Sequence, residues 1–397
     1  MEVISNRVSS LSPSATIAMN QKSRDLQAKG INVINLSVGE PDFFTPDHIK
    51  AAAKKAIDDN FSFYPPVAGY PDLKKAIADK FKRENNLDFT PEQVIVSCGA
   101  KHSLANALMA MINSGDEVII PAPYWVSYLE LVKLCEGIPV VINARFDNNF
   151  KITPGQLKAA ITPETRALLL CSPSNPSGAV YSKAELRALA DVLVKHDNIM
   201  VISDEIYEHI NFIGGHETIA QFADMKERTV VINGVSKAYA MTGWRIGYMG
   251  APTWLVKACD KLQGQTTTGA TTIAQKAAVA ALTGDQKCVS DMNQAFRRRK
   301  ELVVKLVRDI PGLKVYDPDG AFYVFPQVDY YFGRSFNGTP INSSNDLCLY
   351  LLEHAHIATV PGEAFGDPTC IRISFATSDE KLVEAMKRMK DALGALK

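Results

Sequence analysis

The sequence predicts an α/β fold: a large domain built on a mostly parallel seven-stranded sheet between helices, with a smaller α+β domain after it. Three observations carry that reading. Seven short apolar, β-branched runs alternate with amphipathic stretches from about residue 45 to residue 285. Beyond residue 285 the alternation gives way to one long helix and a series of short strands. A chain of 397 residues with 46% hydrophobic content is also large enough for more than one core.

In chain order, "EQVIVSC" reads as a buried strand and "GAKHSLANALMAMI" as the helix that leaves it. "DEVIIPA" is the next strand and "YWVSYLELVKLCEG" a helix; "IPVVINA" and "RALLLCSP" are strands; "SKAELRALADVLVKH" is a helix capped by Ser182. "IMVISDE", "TVVING" and "RIGYMGAP" complete the seven runs. A long helix then spans Asp285 to Ile310 and stops at Pro311-Gly312. Its basic run, Arg297 to Lys300, reads as a solvated helix face. "LKVYDPDGAFYVFPQV" reads as two strands around a Pro-Asp-Gly turn, followed by a helix ("NDLCLYLLEHA"), two strands ("IATVPG" and "TCIRISFA") and a terminal amphipathic helix. These patterns assign residues 1–45 to an N-terminal arm and part of the small domain, 46–285 to the large domain and 286–397 to the small C-terminal domain.

Composition removes several functional classes. Formal net charge is zero and no long basic or acidic block occurs, which argues against nucleic-acid and membrane-surface partners. The seven cysteines are scattered without a CxxC pair, as expected for free thiols in a reducing cytoplasm. The N-terminus lacks the apolar core of a signal peptide, and no apolar run approaches the ~18 residues of a membrane span. No HExxH, GxSxG, GxGxxG or GxxxxGK[ST] pattern is present, and the one close histidine pair, His354 and His356, has no metal-ligand spacing. The expectation for metals is therefore none.

Ligands of open α/β sheets bind beyond the carboxyl ends of the strands. Polar residues gather at such ends here: Gly99 and Lys101, Asn175, Asp204, and Ser236-Lys237. Gly99-Ala100 opens a helix directly after a strand, a place where free N–H groups and the helix dipole favour phosphate; an ordinary tight turn has the same appearance. Ser236 and Arg245 could bond the same phosphate. Asp204 could cap a following helix or, as a buried carboxylate, face a cation such as a protonated ring nitrogen. Tyr124 or Trp125 could pack or stack on a planar ring. Arg372 stands in the apolar strand "CIRISFA", where its fork needs a carboxylate from a substrate or from the protein. Lys237 sits in "NGVSKAYAMTGWRIGYMG" among small residues, as suits an amine kept from bulk water. A phosphate seat, a carboxylate, an aromatic platform and a sequestered lysine match pyridoxal 5'-phosphate, which proteins hold as a lysine Schiff base with Asp or Arg at the ring nitrogen.

The motifs "PSAT", "VGEPDF", "YPPVAGYPDLKKAIA", "GAKHSLAN", "PYWVSY", "SPSNPSGAVYS", "SDEIYEH", "SKAYAMTGWRIGY" and "RISFATS" occur in order over almost the whole chain. In this the sequence resembles the fold-type I, class I aminotransferases, and among them the bacterial aspartate aminotransferases of the shorter-arm branch. The resemblance implies ping-pong transamination of aspartate or glutamate with 2-oxoglutarate or oxaloacetate (aspartate transaminase activity). Lys237 would be the Schiff-base lysine and the base that moves a proton between substrate Cα and cofactor C4′. Asp204 would keep the pyridine nitrogen protonated, Tyr207 and Asn175 would bond the phenolic oxygen, and Trp125 would stack on the ring. Gly99, Ala100, Lys101, Ser236 and Arg245 would surround the phosphate, and Tyr64 would reach the phosphate of a neighbouring subunit in a homodimer. Arg372 would clamp the α-carboxylate close to the Gly39 backbone, while Lys101, with Ser14 and Thr16, would read the distal carboxylate.

Two features depart from the pattern. His102 stands where glutamine is usual, and Ser12 stands where prephenate-using members carry lysine, which argues against prephenate. Aromatic or kynurenine-type aminotransferases and β-elimination lyases share Lys237, Asp204 and Arg372, and so remain alternatives. A cofactor-binding regulatory protein is a further alternative, although the first 45 residues leave no room for a DNA-binding segment.

Overall fold

The computed structural model describes residues 3–397. Strand β1 (Ile34–Asn35) is a short N-terminal piece. Seven strands then build the main sheet: β2 (Val94–Ser97), β3 (Glu117–Ala122), β4 (Ile138–Asn143), β5 (Thr165–Cys171), β6 (Met200–Asp204), β7 (Thr229–Gly234) and β8 (Gly247–Gly250). Their order is β2-β8-β7-β6-β5-β3-β4. Only β8 runs against the rest, pairing antiparallel with both β2 and β7.

Side-chain alternation explains why helices cover both faces. Val118, Ile120, Leu169 and Ile202 pack on one face with Leu104 and Leu108 of the helix Ala100–Met111. Their neighbours Ile119, Leu168, Leu170 and Val201 pack on the other with Leu186, Leu189 and Leu193 of the helix Lys183–Leu193. That helix starts as expected at Ser182, whose hydroxyl accepts the Glu185 N–H while Glu185 accepts the Ser182 N–H.

A second core joins the two ends of the chain. Met19, Val33, Ile34 and Leu36 pack with Val303, Val307, Leu347, Leu351 and Met386, and β1 pairs in parallel with β12 (Ile357–Ala358). The long helix runs Lys287–Arg308. The two strands expected around Pro-Asp-Gly do not form. Their two segments meet only at an antiparallel bridge of Lys314 with Gln327, and β9 (Tyr323–Val324) pairs elsewhere, because the turn's N–H groups bond outside it: Asp319 and Gly320 to the Gly178 carbonyl, and Ala321 to that of Ile210. β10 (Arg334–Phe336) and β11 (Thr339–Ile341) make a hairpin instead. "IATVPG" splits at Thr359 into β12 and β13 (Val360–Pro361), and β13 pairs with β14 (Ile371–Ser374), which pairs with β9. The basic run is also only partly solvated. Arg299 is 7% exposed, since its helix turns that position toward Asp42 and Phe43.

Candidate active site

A cavity of about 580 Å³ opens beyond the carboxyl ends of the parallel strands. β5 and β6 end in register at Cys171 and Asp204, and both residues line it. β7 ends at Gly234, and the chain then turns so that Ser236 and Lys237 enter the wall. Ala100 and Lys101, in the first turn of the helix after β2, contribute another side, with Trp125 from the segment after β3. Asn175, Tyr207, Arg245 and Arg372 complete the set, joined by Thr16, Gly39, Glu40, Tyr128 and Tyr323.

The charges in this cavity are unbalanced. Four cations line it, Lys101, Lys237, Arg245 and Arg372, against two carboxylates, Glu40 and Asp204. Arg372 is 1% exposed, donates from Nη1 to Asn175 Oδ1 at 2.9 Å and from Nη2 to the Ser37 carbonyl at 2.6 Å, and leaves Nε unpartnered. It lies 4.5 Å from the Tyr323 ring centroid. Neutral acceptors do not cancel a buried guanidinium, so the site calls for an anion from outside the chain. Asp204 receives the Tyr128 hydroxyl at 2.7 Å and the Ile206 N–H at 3.3 Å; burial holds its pKa above the ordinary carboxylate range, so a cation is its complement. Lys237 donates to the Gly39 carbonyl at 2.6 Å. Burial, opposed by Glu40 and reinforced by Arg372 and Arg245, lowers its pKa to about 8. Lys101 lies 4.7 Å from the Trp125 ring, and desolvation followed by the charge of Arg245 lowers its pKa.

Two glycines are required by close approach. Gly99 has φ +91°, and a Cβ there would strike the Arg245 guanidinium. A Cβ on Gly39 would lie 2.5 Å from the Tyr323 hydroxyl.

The description "Aminotransferase class I and II" matches residues 31–389 of the chain. The chain belongs to this family. The aminotransferase is 48% identical over 399 residues to the probable aspartate/prephenate aminotransferase of Rickettsia bellii, with 100% of both chains covered. It is 48% identical over 394 residues to the aspartate/prephenate aminotransferase of Nitrosomonas europaea, covering 98% of this chain and 99% of that one. Among solved structures it resembles the aspartate aminotransferase of Rhizobium meliloti, with a TM-score of 0.97, 45% identity and 100% of both chains covered. It also resembles the Thermus thermophilus aspartate aminotransferase with maleate, with a TM-score of 0.93, 41% identity, and 99% and 100% coverage.

The aminotransferase uses pyridoxal 5'-phosphate, and the cavity's own chemistry fits that group. A buried carboxylate lacks a cation, a lysine is held near neutrality, and cations without carboxylate partners stand beside a helix N-terminus.

The structure brings most of the expected residues to this one cavity, with four qualifications. Ser14 precedes the helix Ala15–Ala28 and does not line the cavity, although Thr16 does, with its hydroxyl buried and unpartnered. Gly99 stands behind Arg245. Tyr64 is 92% exposed and away from the cavity of its own chain. Tyr124 is buried, its N–H bonded to the Phe365 carbonyl, so Trp125 is the aromatic in the wall. No helix follows Asp204 for it to cap: residues 206–209 form a turn, and the carboxylate accepts the Ile206 N–H at its start.

Sequence reading missed Tyr128 and Tyr323. Tyr128 follows Trp125 by three positions, a spacing that places both on one helical face. Tyr323, whose hydroxyl lies 2.8 Å from that of Tyr207, carried no sequence signal. Two groups of His and Glu also meet behind the sheet, Glu84–Glu208–His209 and Glu205–Glu208–His216. Their carboxylates already receive Lys80, Asn85, His209, Ser203 and His216.

Proposed function

We propose that this aminotransferase exchanges the amino group of aspartate or glutamate with the matching 2-oxo acid, 2-oxoglutarate or oxaloacetate. The observation that carries the reading is Arg372: a fully buried guanidinium without a carboxylate partner, in the same cavity as Asp204 and Lys237. A bidentate fork of this kind fits the α-carboxylate of an amino acid. Lys101, over the Trp125 ring, would be the cation for a second carboxylate, helped by the unpartnered Thr16 hydroxyl. Support for a dicarboxylic substrate comes from the names of the relatives and from the maleate in the Thermus structure, since maleate is itself a dicarboxylate. Prephenate, in the names of the same relatives, also carries two carboxylates and is the second acceptor to test, against the expectation from Ser12.

Pyridoxal phosphate, when bound, supplies an electron sink for charge developing at the substrate Cα. In this reading Asp204 holds a proton on the ring nitrogen, with Tyr128 fixing the carboxylate's orientation. The Asn175 amide, with Oδ1 engaged by Arg372, and the Tyr207 hydroxyl, paired with Tyr323, present donors to the phenolic oxygen. Trp125 would cover the ring, and Ala100, Ser236 and Arg245 would hold the phosphate, with Gly99 giving Arg245 room. Lys237 Nζ would hold the cofactor and, when not joined to it, would be the group that accepts a proton from the substrate Cα. A pKa of about 8 suits a base working near neutrality.

We further propose a homodimer in which Tyr64 serves the partner's site; support comes from the exposed aromatic side chains Phe44, Phe63 and Tyr64. A cytoplasmic location is proposed on the seven unpaired cysteines. No helix among the described residues is long and apolar enough to cross a membrane.

The test is a panel of amino donors, with spectra recorded at each addition, on wild type, Lys237→Ala and Lys101→Gln. Lys237→Ala should lose turnover, and borohydride reduction with peptide mapping should find the cofactor on Lys237 in wild type and Lys101→Gln but nowhere in Lys237→Ala. Lys101→Gln should lose about tenfold or more with aspartate and little with phenylalanine, as expected for removing a charged hydrogen bond. Transamination by Lys237→Ala would refute the mechanism, and equal losses on both donors would remove Lys101 from distal recognition.

A further inference from the structure

We infer that Arg299 and Asp42 form a positioning pair that holds the segment Gly39–Thr45, and with it the Gly39 carbonyl, against Lys237. The segment is bonded along one edge to the lysine-bearing run. Lys237 donates to the Gly39 carbonyl, Thr242 donates to Glu40 at 2.9 Å, Thr45 donates to the Ala240 carbonyl at 2.7 Å, and Trp244 donates to Thr45 at 3.0 Å. Its other edge is held by the helix Lys287–Arg308. Arg299 Nη1 and Nη2 donate to the two Asp42 oxygens at 2.7 and 2.9 Å, the Arg299 guanidinium lies 5.1 Å from the Phe43 ring centroid, and Phe43 meets Phe296 edge-on at 5.4 Å. Arg298 and Arg299 both reach Asp379, in the first turn of the C-terminal helix. One fork from the buried Arg299 to Asp42 at the surface thus joins the segment beside Lys237 to the core formed by the two ends of the chain.

A bidentate guanidinium–carboxylate pair fixes direction as well as distance, which a lysine cannot do. Asp42 is three residues from Gly39, so a change in the fork moves the carbonyl that accepts the Lys237 hydrogen bond and the Glu40 charge beside it. Arg299 touches neither substrate nor cofactor in this account; it acts through Gly39 and Glu40. The inference rests on the reading of Lys237 as the proton-transfer group.

The experiment uses the full-length, cofactor-loaded protein as wild type, Arg299→Lys and Asp42→Asn. Steady-state kinetics with aspartate, amide hydrogen exchange by segment and thermal melting are measured on each. In Arg299→Lys, kcat should fall about tenfold, as expected for a sub-ångström misplacement, with KM changed less than about threefold because Arg372 is untouched. Exchange should quicken in residues 39–45 and stay unchanged in the helix Lys183–Leu193. If Arg299→Lys does not fold, Asp42→Asn, which keeps one acceptor oxygen, should show the same pattern at smaller size. Wild-type kcat together with wild-type exchange at 39–45 overturns the inference, as does exchange that rises equally throughout the chain. A wild-type protein inactive with every donor overturns the functional reading instead, and the exchange data then decide the clamp separately.

Discussion

At the scale of single residues, the cavity is defined by groups whose charge has no partner in the chain. Arg372 and Asp204 are both buried, yet each is satisfied only by neutral donors or acceptors. That arrangement is costly when empty and favourable when an anion and a cation arrive together. Lys237 shows the same cost in a measurable form. Its folded pKa, about 8, lies below its ordinary value of 10.5. A base whose pKa is depressed on folding contributes stability that is present above the unfolded value and is lost as pH falls through the folded one. The cofactor-free chain should therefore gain about 2 kcal/mol between roughly pH 8 and pH 10 from this group, after allowance for its partial exposure to the cavity. Urea midpoints of wild type and Lys237→Met across that range will check this. The wild-type slope should exceed that of the variant, and parallel slopes would show that Lys237 is not held down.

At the scale of elements, local signals start the helices and tertiary hydrogen bonds decide the short strands. The Ser182–Glu185 box closes two free N–H groups at the start of a helix that buries Leu186, Leu189 and Leu193. Ser182→Ala should cost about 1 kcal/mol in chemical denaturation without changing kinetic constants, because the helix packs on the sheet away from the cavity. A shift in KM would mean that the cap also acts on the site. The segment around Pro-Asp-Gly behaves differently. Its turn is legible, but the donors of Asp319, Gly320 and Ala321 go to Gly178 and Ile210, which leaves the two sides a single bridge at Lys314 and Gln327. The basic run was misread for a related reason: charge alone does not reveal which helical position faces Asp42.

At the scale of the molecule, two cores meet at the cavity. One sandwiches the main sheet, and the other joins residues 19–36 to residues 292–396. We propose that this division corresponds to a large domain over 46–285 and a smaller one over 286–397 with the N-terminal arm, and that the site lies where they meet. In the proposed homodimer, Tyr64 would act beyond its own chain. Its exposure gives it no role in its own cavity, so Tyr64→Phe should loosen cofactor binding about tenfold by removing one bond to a charged group. Co-expression of Tyr64→Ala with Lys237→Ala should restore one working site per mixed dimer, measured at limiting cofactor as activity above that of either variant alone. No restoration would place Tyr64 outside the partner's site.

What the sequence determined by itself was the alternation of strands and helices, the helix cap at Ser182, and the positions of Asp204 at a strand end and of Lys101, Asn175 and Lys237 just past others. Each is a local matter of periodicity or of distance along the chain, and the sheet's parallel direction then brings those ends to one edge. Only the tertiary structure decided that Tyr128 holds Asp204, that Tyr323 faces Tyr207 and Gly39, and that Arg299 reaches back to Asp42. Those pairs are separated by 76, 116 and 257 positions in the two sides' hydrogen bonds. At such separations the meeting of two side chains depends on how the cores pack, and no local pattern records it.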